Sequence, residues 1–227
     1  HCMKYILEAD SSAETFKAHG GGKAAGLARL HKIGVPAPAW FCLSTTAFDS
    51  YISHNGFAGV KTEKELSEGL IPIDLKREIE VTLQKFQMLN TQVAVRSSGL
   101  DEDSAEHSFA GQFSSYLYQN GLEQVLDSVR KCWASGFSER ALAYRVDRGI
   151  SIDTIKVGVV IQMMVNADTA GVAFSRNPVH PLDRDTMLIS AVYGLGEGLV
   201  SGELESDNYT VQRNGFTFTS EIAAKTH

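Results

Sequence analysis

The run VAVRSSGLDEDSAEHSFAGQFSSYL, residues 93–117, constrains this chain more than any other stretch. Val93 and Val95 fall on one face of an alternating apolar segment, which predicts a short strand delivering Arg96 at its end. Ser97, Ser98 and Gly99 follow, then the acidic run Asp101, Glu102, Asp103. A second small-residue turn, Ser108 to Gln112, leads into the alternation of Tyr116, Leu117 and Tyr118. The pattern is a hairpin with a long polar connection. Two readings are open on these residues alone. Small residues let backbone N–H groups approach an anion, and a guanidinium adds forked, charge-assisted donors, which together make a phosphate grip. The same pattern also suits a surface hairpin with a polar tip.

With 227 residues and 43% hydrophobic content, the chain can bury one substantial core or two smaller lobes. A net charge of −6 argues against a nucleic-acid surface held by bulk electrostatics and leaves room for a local cationic pocket that takes a small anion. Cys2, Cys42 and Cys132 are odd in number and lack metal-ligand spacing, so neither a disulfide framework nor a zinc site is expected, and a reducing cytoplasm fits best. No apolar run approaches the ~18 residues that span a bilayer, and the amino terminus carries no signal-peptide pattern. No membrane role is expected.

Near the start, His19, Gly20, Gly21 and Gly22 read as a flexible turn before an alanine-rich helix with Leu27, Leu30 and Ile33 at helical spacing. Lys23 then stands in the first helical turn, where unpaired N–H groups and partial positive charge already favour an anion. This is not a Walker loop, because no Ser or Thr follows Lys23 and position 17 is a lysine. A glycine-rich loop with a solvated lysine is the plainer reading. Trp40 to Leu43 predicts a buried strand, and Thr45 or Thr46 a helix cap. Residues 74–88 and 122–133 carry amphipathic helical patterns, and Ser138 caps a helix over 139–148 on which Arg140, Arg145 and Arg148 form a solvated face. KVGVVIQMMV, residues 156–165, is a dense strand. Asp168 and Thr169 turn it into a second strand over 169–175, so that the two form a hairpin. Edge amides and polarizable methionines on its first strand offer a rest for a flat heteroaromatic base; a plain core hairpin with Met as filler is the alternative. Strands are also expected over 186–192 and 207–212. The glycine-rich 193–202 between them lacks the third glycine and the βαβ frame of a dinucleotide fingerprint.

Four stretches taken together, GGGKAAGLARL, VAVRSSGLDEDSAEHSFAGQ, VGVVIQMMVNADTAGVAFSRNP and YGLGEGLVSGELESDNYTV, resemble the amino-terminal nucleotide-binding domain of the phosphoenolpyruvate synthase and pyruvate phosphate dikinase family. Rifampin phosphotransferases and some ATP-using condensing enzymes are similar in this domain. The resemblance covers nearly the whole chain, so residues 1–227 are expected to be one ATP-binding domain. It implies an α+β, ATP-grasp-type fold with ATP and Mg2+ between lobes. It also implies site residues. Lys23 matches the lysine that touches ATP phosphates, and Arg96 the phosphate-binding arginine. Gly111 would lend backbone amides and Ser115 a hydroxyl to phosphate, while Gln162, Met163, Met164 and Val165 match the segment beside adenine. Glu197 and Asp207 sit in matching motifs without an assignable role, and the 101–103 carboxylates orient their loop instead of holding metal.

The departures carry expectations too. No later acidic strand residue followed by a Q-S/T-R-P-like strand appears after Asn208, and His107, His180 and His227 lie in no context matching a phosphorylatable histidine. The chain therefore reads as a piece of a longer phosphotransferase that passes phosphate from ATP through a histidine to pyruvate or another acceptor, with the remaining domains of its parent as partners. SSGLDED also differs from the commoner SSATAED, which would loosen that loop. The alternatives are a non-catalytic nucleotide-binding module and the ATP-binding domain of a rifampin phosphotransferase-like or ligase-like condensing enzyme.

Overall fold

The computed structural model describes residues 5–59, 62–100, 103–104, 107–108, 114–178, 180, 182–197 and 205–223. They divide into two compact units, residues 1–164 and 165–227.

The first unit begins with β1 (Ile6–Leu7), α1 (Ala13–His19), α2 (Gly21–Lys32), β2 (Trp40–Leu43), α3 (Thr45–His54), α4 (Glu63–Ser67) and α5 (Ile73–Lys85). It continues with β3 (Val93–Gly99), the two-residue pair β4 (Asp103–Ser104) and β5 (His107–Ser108), β6 (Ser115–Gln119), α6 (Leu122–Ser135), α7 (Glu139–Asp147) and β7 (Val157–Met163). Five strands form one antiparallel sheet in the order β1-β2-β7-β3-β6. Successive side chains alternate between its faces, so the register sorts them. Phe41, Leu43, Val93, Val95, Val159 and Ile161 point to one face, where they bury with Phe48 and Tyr51 of α3, Leu75, Ile79 and Leu83 of α5, and Val125, Val129 and Trp133 of α6. Tyr51 and Trp133 rings lie 4.7 Å apart at its centre. Each such fully buried side chain stabilises the fold by roughly 1.5–3 kcal/mol. Leu7, Trp40, Cys42 and Val160 point to the other face, which α1 and α2 cover through Phe16 and Ala24. That cover is narrower, and among the described residues it leaves Arg96 half-buried and Ser115 exposed on this face.

The second unit is a four-stranded antiparallel meander of β8 (Thr169–Phe174), β9 (Thr186–Tyr193), β10 (Asp207–Gln212) and β11 (Phe218–Glu221). Met187, Ile189, Ala191, Tyr209, Val211 and Phe218 share one of its faces, with the Tyr209 and Phe218 rings 5.9 Å apart. No described helix is long and apolar enough to cross a membrane.

Four local expectations change. The strands over 157–163 and 169–174 are not a hairpin, because β7 pairs on both sides with β2 and β3 while β8 pairs with β9. Arg96 stands in the middle of β3 instead of at its end, since Ser97, Ser98 and Gly99 continue the ladder against β7. At the start of α3 it is Ser44 that holds the cap position, without a side-chain cap bond. Arg145 is buried, at 3% exposure, and its Nη1 donates to Ser151 O and Thr154 Oγ1, both at 3.1 Å. Its charge thus ties α7 to the 3-10 turn that follows. Both buried thiols are pushed up to about 12 by desolvation, Cys42 and Cys132 alike, which makes them poor nucleophiles.

Replacing Arg145 by Ala removes a buried charged donor from the Ser151 carbonyl and the Thr154 hydroxyl and opens a void under α7, so the loss is expected to be about 1–3 kcal/mol in urea unfolding. Arg148→Ala, on the exposed side of the same helix end, should cost less than about 0.5 kcal/mol. Equal effects would show that the burial of Arg145 does not matter to stability.

Candidate nucleotide site

The open part of the sheet lies beside the start of α2. On β3 the face that α2 touches carries Ala94, Arg96 and Ser98, and across the ladder stand Gln162, Val160 and Gly158 of β7. Arg96 is the one residue of β3 that is not buried. Ser115 of β6 pairs directly with Arg96 and is exposed, so its hydroxyl is on the same open face. Gln162 takes part as well: Arg96 Nη1 donates to Gln162 Oε1 at 3.4 Å, and Gln162 Nε2 donates to Pro38 O at 3.5 Å. Among the described residues no carboxylate forms an ion pair with Arg96. A half-buried guanidinium without a counter-charge keeps several strong donors for an incoming anion.

The glycines expected to form a loose turn instead fix α2 to the sheet. Gly21 has φ +78°, and a Cβ there would stand 2.0 Å from the Ser98 carbonyl oxygen. Gly158, opposite Ser98, has no room either, since its Cβ would meet Gly20 O at 2.6 Å. Close backbone approach of this kind requires glycine. Ser98 Oγ then accepts from the Ala24 N–H at 3.3 Å. Lys23 precedes Ala24 and is half-buried in the third position of the helix. Lys23 and Arg96 are thereby carried by two elements locked together at Ser98.

The remaining expected residues separate. Met163 pairs with Val93 and its side chain packs against the larger core, on the face opposite Gln162 and Arg96. Its N–H donates to Ala39 O and that of Met164 to Gln92 O, so both amides are engaged within the first unit instead of lying at a free edge. Val165 is exposed and belongs to the second unit. Asp207 Oδ1 accepts from Ala223 N–H at 3.0 Å, and Glu197 is exposed. Gly111 and the 101–102 carboxylates lie outside the described residues. Among the described residues no group of three His, Cys, Asp or Glu side chains could hold a metal ion. The sequence suggested Ser98 as one of the small residues behind Arg96, not as an anchor for α2, and gave Gly158 no role. A glycine inside the dense VGVVIQ strand was the available signal for a close neighbour.

A family model for the pyruvate phosphate dikinase AMP/ATP-binding domain matches residues 18–227, and thus both the α2 start and the Arg96 strand. The chain belongs to this family. It is 34% identical over 248 residues to a probable phosphoenolpyruvate synthase of Methanocaldococcus jannaschii, covering 98% of this chain and 20% of the relative. It is 35% identical over 216 residues to the rifampicin phosphotransferase of Bacillus cereus, covering 86% of this chain and 25% of that protein. With the prodigiosin synthesizing transferase PigC of Serratia marcescens the identity is 35% over 230 residues, covering 97% of this chain and 25% of the relative. The chain therefore spans about a quarter or less of these relatives' length.

The seating of α2 predicts opposite responses from two glycines of one helix. Gly21→Ala should destabilise by about 2 kcal/mol or more, because its Cβ meets backbone and its φ is left-handed. Gly26→Ala, with nothing within 4 Å of the added Cβ, should raise stability by about 0.5–1 kcal/mol. Paired thermal melts decide this, and a neutral Gly21→Ala would contradict the clamp.

Proposed function

We propose that the chain binds ATP on the open sheet face beside α2, as the nucleotide-binding part of an ATP-grasp-type phosphotransferase. The observation that carries this reading is a half-buried Arg96 with no described acidic partner, on a strand locked to the helix turn that bears Lys23. Two cations held on rigid elements suit a polyphosphate far better than a neutral ligand. Lys23 and Arg96 take the phosphates, with the Ser115 hydroxyl and the backbone at Gly111 as further donors. Gln162 orients Arg96 and, with the neighbouring backbone of Met163 and Met164, borders the adenine.

Phosphoryl transfer requires little covalent chemistry from a protein. It requires an aligned donor and neutralisation of the charge spreading over the transferred oxygens, which a lysine, an arginine and fixed amides supply. Magnesium, arriving with the nucleotide, would supply further neutralisation of the phosphate charge. The described residues form no acidic cage for it. The parent phosphotransferase passes the phosphoryl group to a histidine and thence to pyruvate or another acceptor, with the acceptor selected by other domains. The name of the Serratia relative favours a second reading for the parent, a condensing transferase that uses the same ATP domain.

Lys23→Ala and Arg96→Ala should each weaken ATP binding about 10- to 100-fold, as expected for loss of one charged hydrogen bond to phosphate. Lys17→Ala, at an exposed position of α1, is the control and should leave affinity unchanged. Calorimetric titration of the three variants and the parent chain checks this, with melting temperatures to show that each is folded. Unchanged affinity in both site variants would remove the proposed function.

A further inference from the structure

We infer that Ser98 is a positioning residue for nucleotide binding: its hydroxyl sets where Lys23 stands relative to Arg96. The inference rests on the nucleotide reading above and adds to it a residue that need not touch the ligand. Ser98 is fully buried and lies on the same face of β3 as Arg96, two residues further, or about 7 Å along the strand. Its Oγ accepts from the N–H of Ala24, the residue after Lys23. The helix has no cap of its own, because Gly20 at that position lacks a side chain. A hydroxyl from the strand supplies an acceptor to the first turn in its place. The flanking contacts leave α2 little freedom to sit elsewhere: Gly21 rests on the Ser98 carbonyl and Gly20 on Gly158. Ala24 is also fully buried, so water cannot replace the lost acceptor without opening the interface.

Removing the hydroxyl therefore loosens the register between the two cations while leaving both in the protein. A polyphosphate that must be met by both loses affinity through geometry, and that loss disappears once one of the two is gone. A double-mutant cycle tests this. Ser98→Ala should weaken ATP binding roughly three- to tenfold in the parent chain and have no effect on affinity in a Lys23→Ala background. Should Ser98→Ala not fold, Ser98→Cys carries the cycle, since it keeps the volume and weakens the acceptor. An equal loss in both backgrounds, or no loss in the parent, overturns the positioning role while leaving the nucleotide site standing. If Lys23→Ala alone leaves ATP affinity unchanged, the positioning role falls; if Arg96→Ala does so as well, it is the nucleotide reading that fails, and the positioning role with it.

Discussion

Everything of functional interest in the first unit depends on the contact between the first turn of α2 and the strand that carries Arg96. Three features make it possible. Gly21 adopts a left-handed backbone against the Ser98 carbonyl, Gly158 leaves room on the adjacent strand, and Ser98 receives the Ala24 amide. The cost is two side-chain-free positions in a packed interior, where glycine gives up burial and chain entropy. The result is that the helix turn carrying Lys23 and the strand carrying Arg96, distant in sequence, are fixed against each other.

The two faces of the five-stranded sheet divide the labour. One is filled by α3, α5 and α6 around Trp133 and Tyr51, and it supplies most of the buried apolar area. Among the described residues the other carries the small cluster under α1 and α2, with Arg96 and Gln162 half-buried and Ser115 exposed beside it. The pleat alone enforces this separation, and it explains why Gln162 and Met163, adjacent in sequence, end up on opposite faces. A methionine that suits an adenine in composition is here held by the core.

Much of this was legible in sequence because the signals were local. The amphipathic pattern over 74–88 became α5 (Ile73–Lys85), and that over 122–133 became α6 (Leu122–Ser135). Lys23 falls in the first turn of a helix, as its neighbours implied. The failures are non-local. Ser97, Ser98 and Gly99 look like a turn until β7 supplies a ladder for them, and residues 157–174 look like a hairpin until β2 and β3 claim both sides of β7. Arg145 reads as solvated because the acceptors it meets in the turn after the helix, the Ser151 carbonyl and the Thr154 hydroxyl, carry no charge to advertise the pairing. The triple glycine reads as slack because only the tertiary structure shows the backbone it must approach.

The central claim is that the triphosphate of ATP is met at the junction of α2 and β3. Amide chemical shifts of the labelled chain, followed by NMR as ATP or adenosine is added, test it most directly. The account predicts ATP-dependent shifts at residues 21–24, 96–98 and 115 that adenosine does not reproduce, with the outer face of α5 around Ile73, Arg77 and Val81 unmoved. Shifts of equal size with adenosine, or ATP-dependent shifts confined to residues away from that junction, would contradict it.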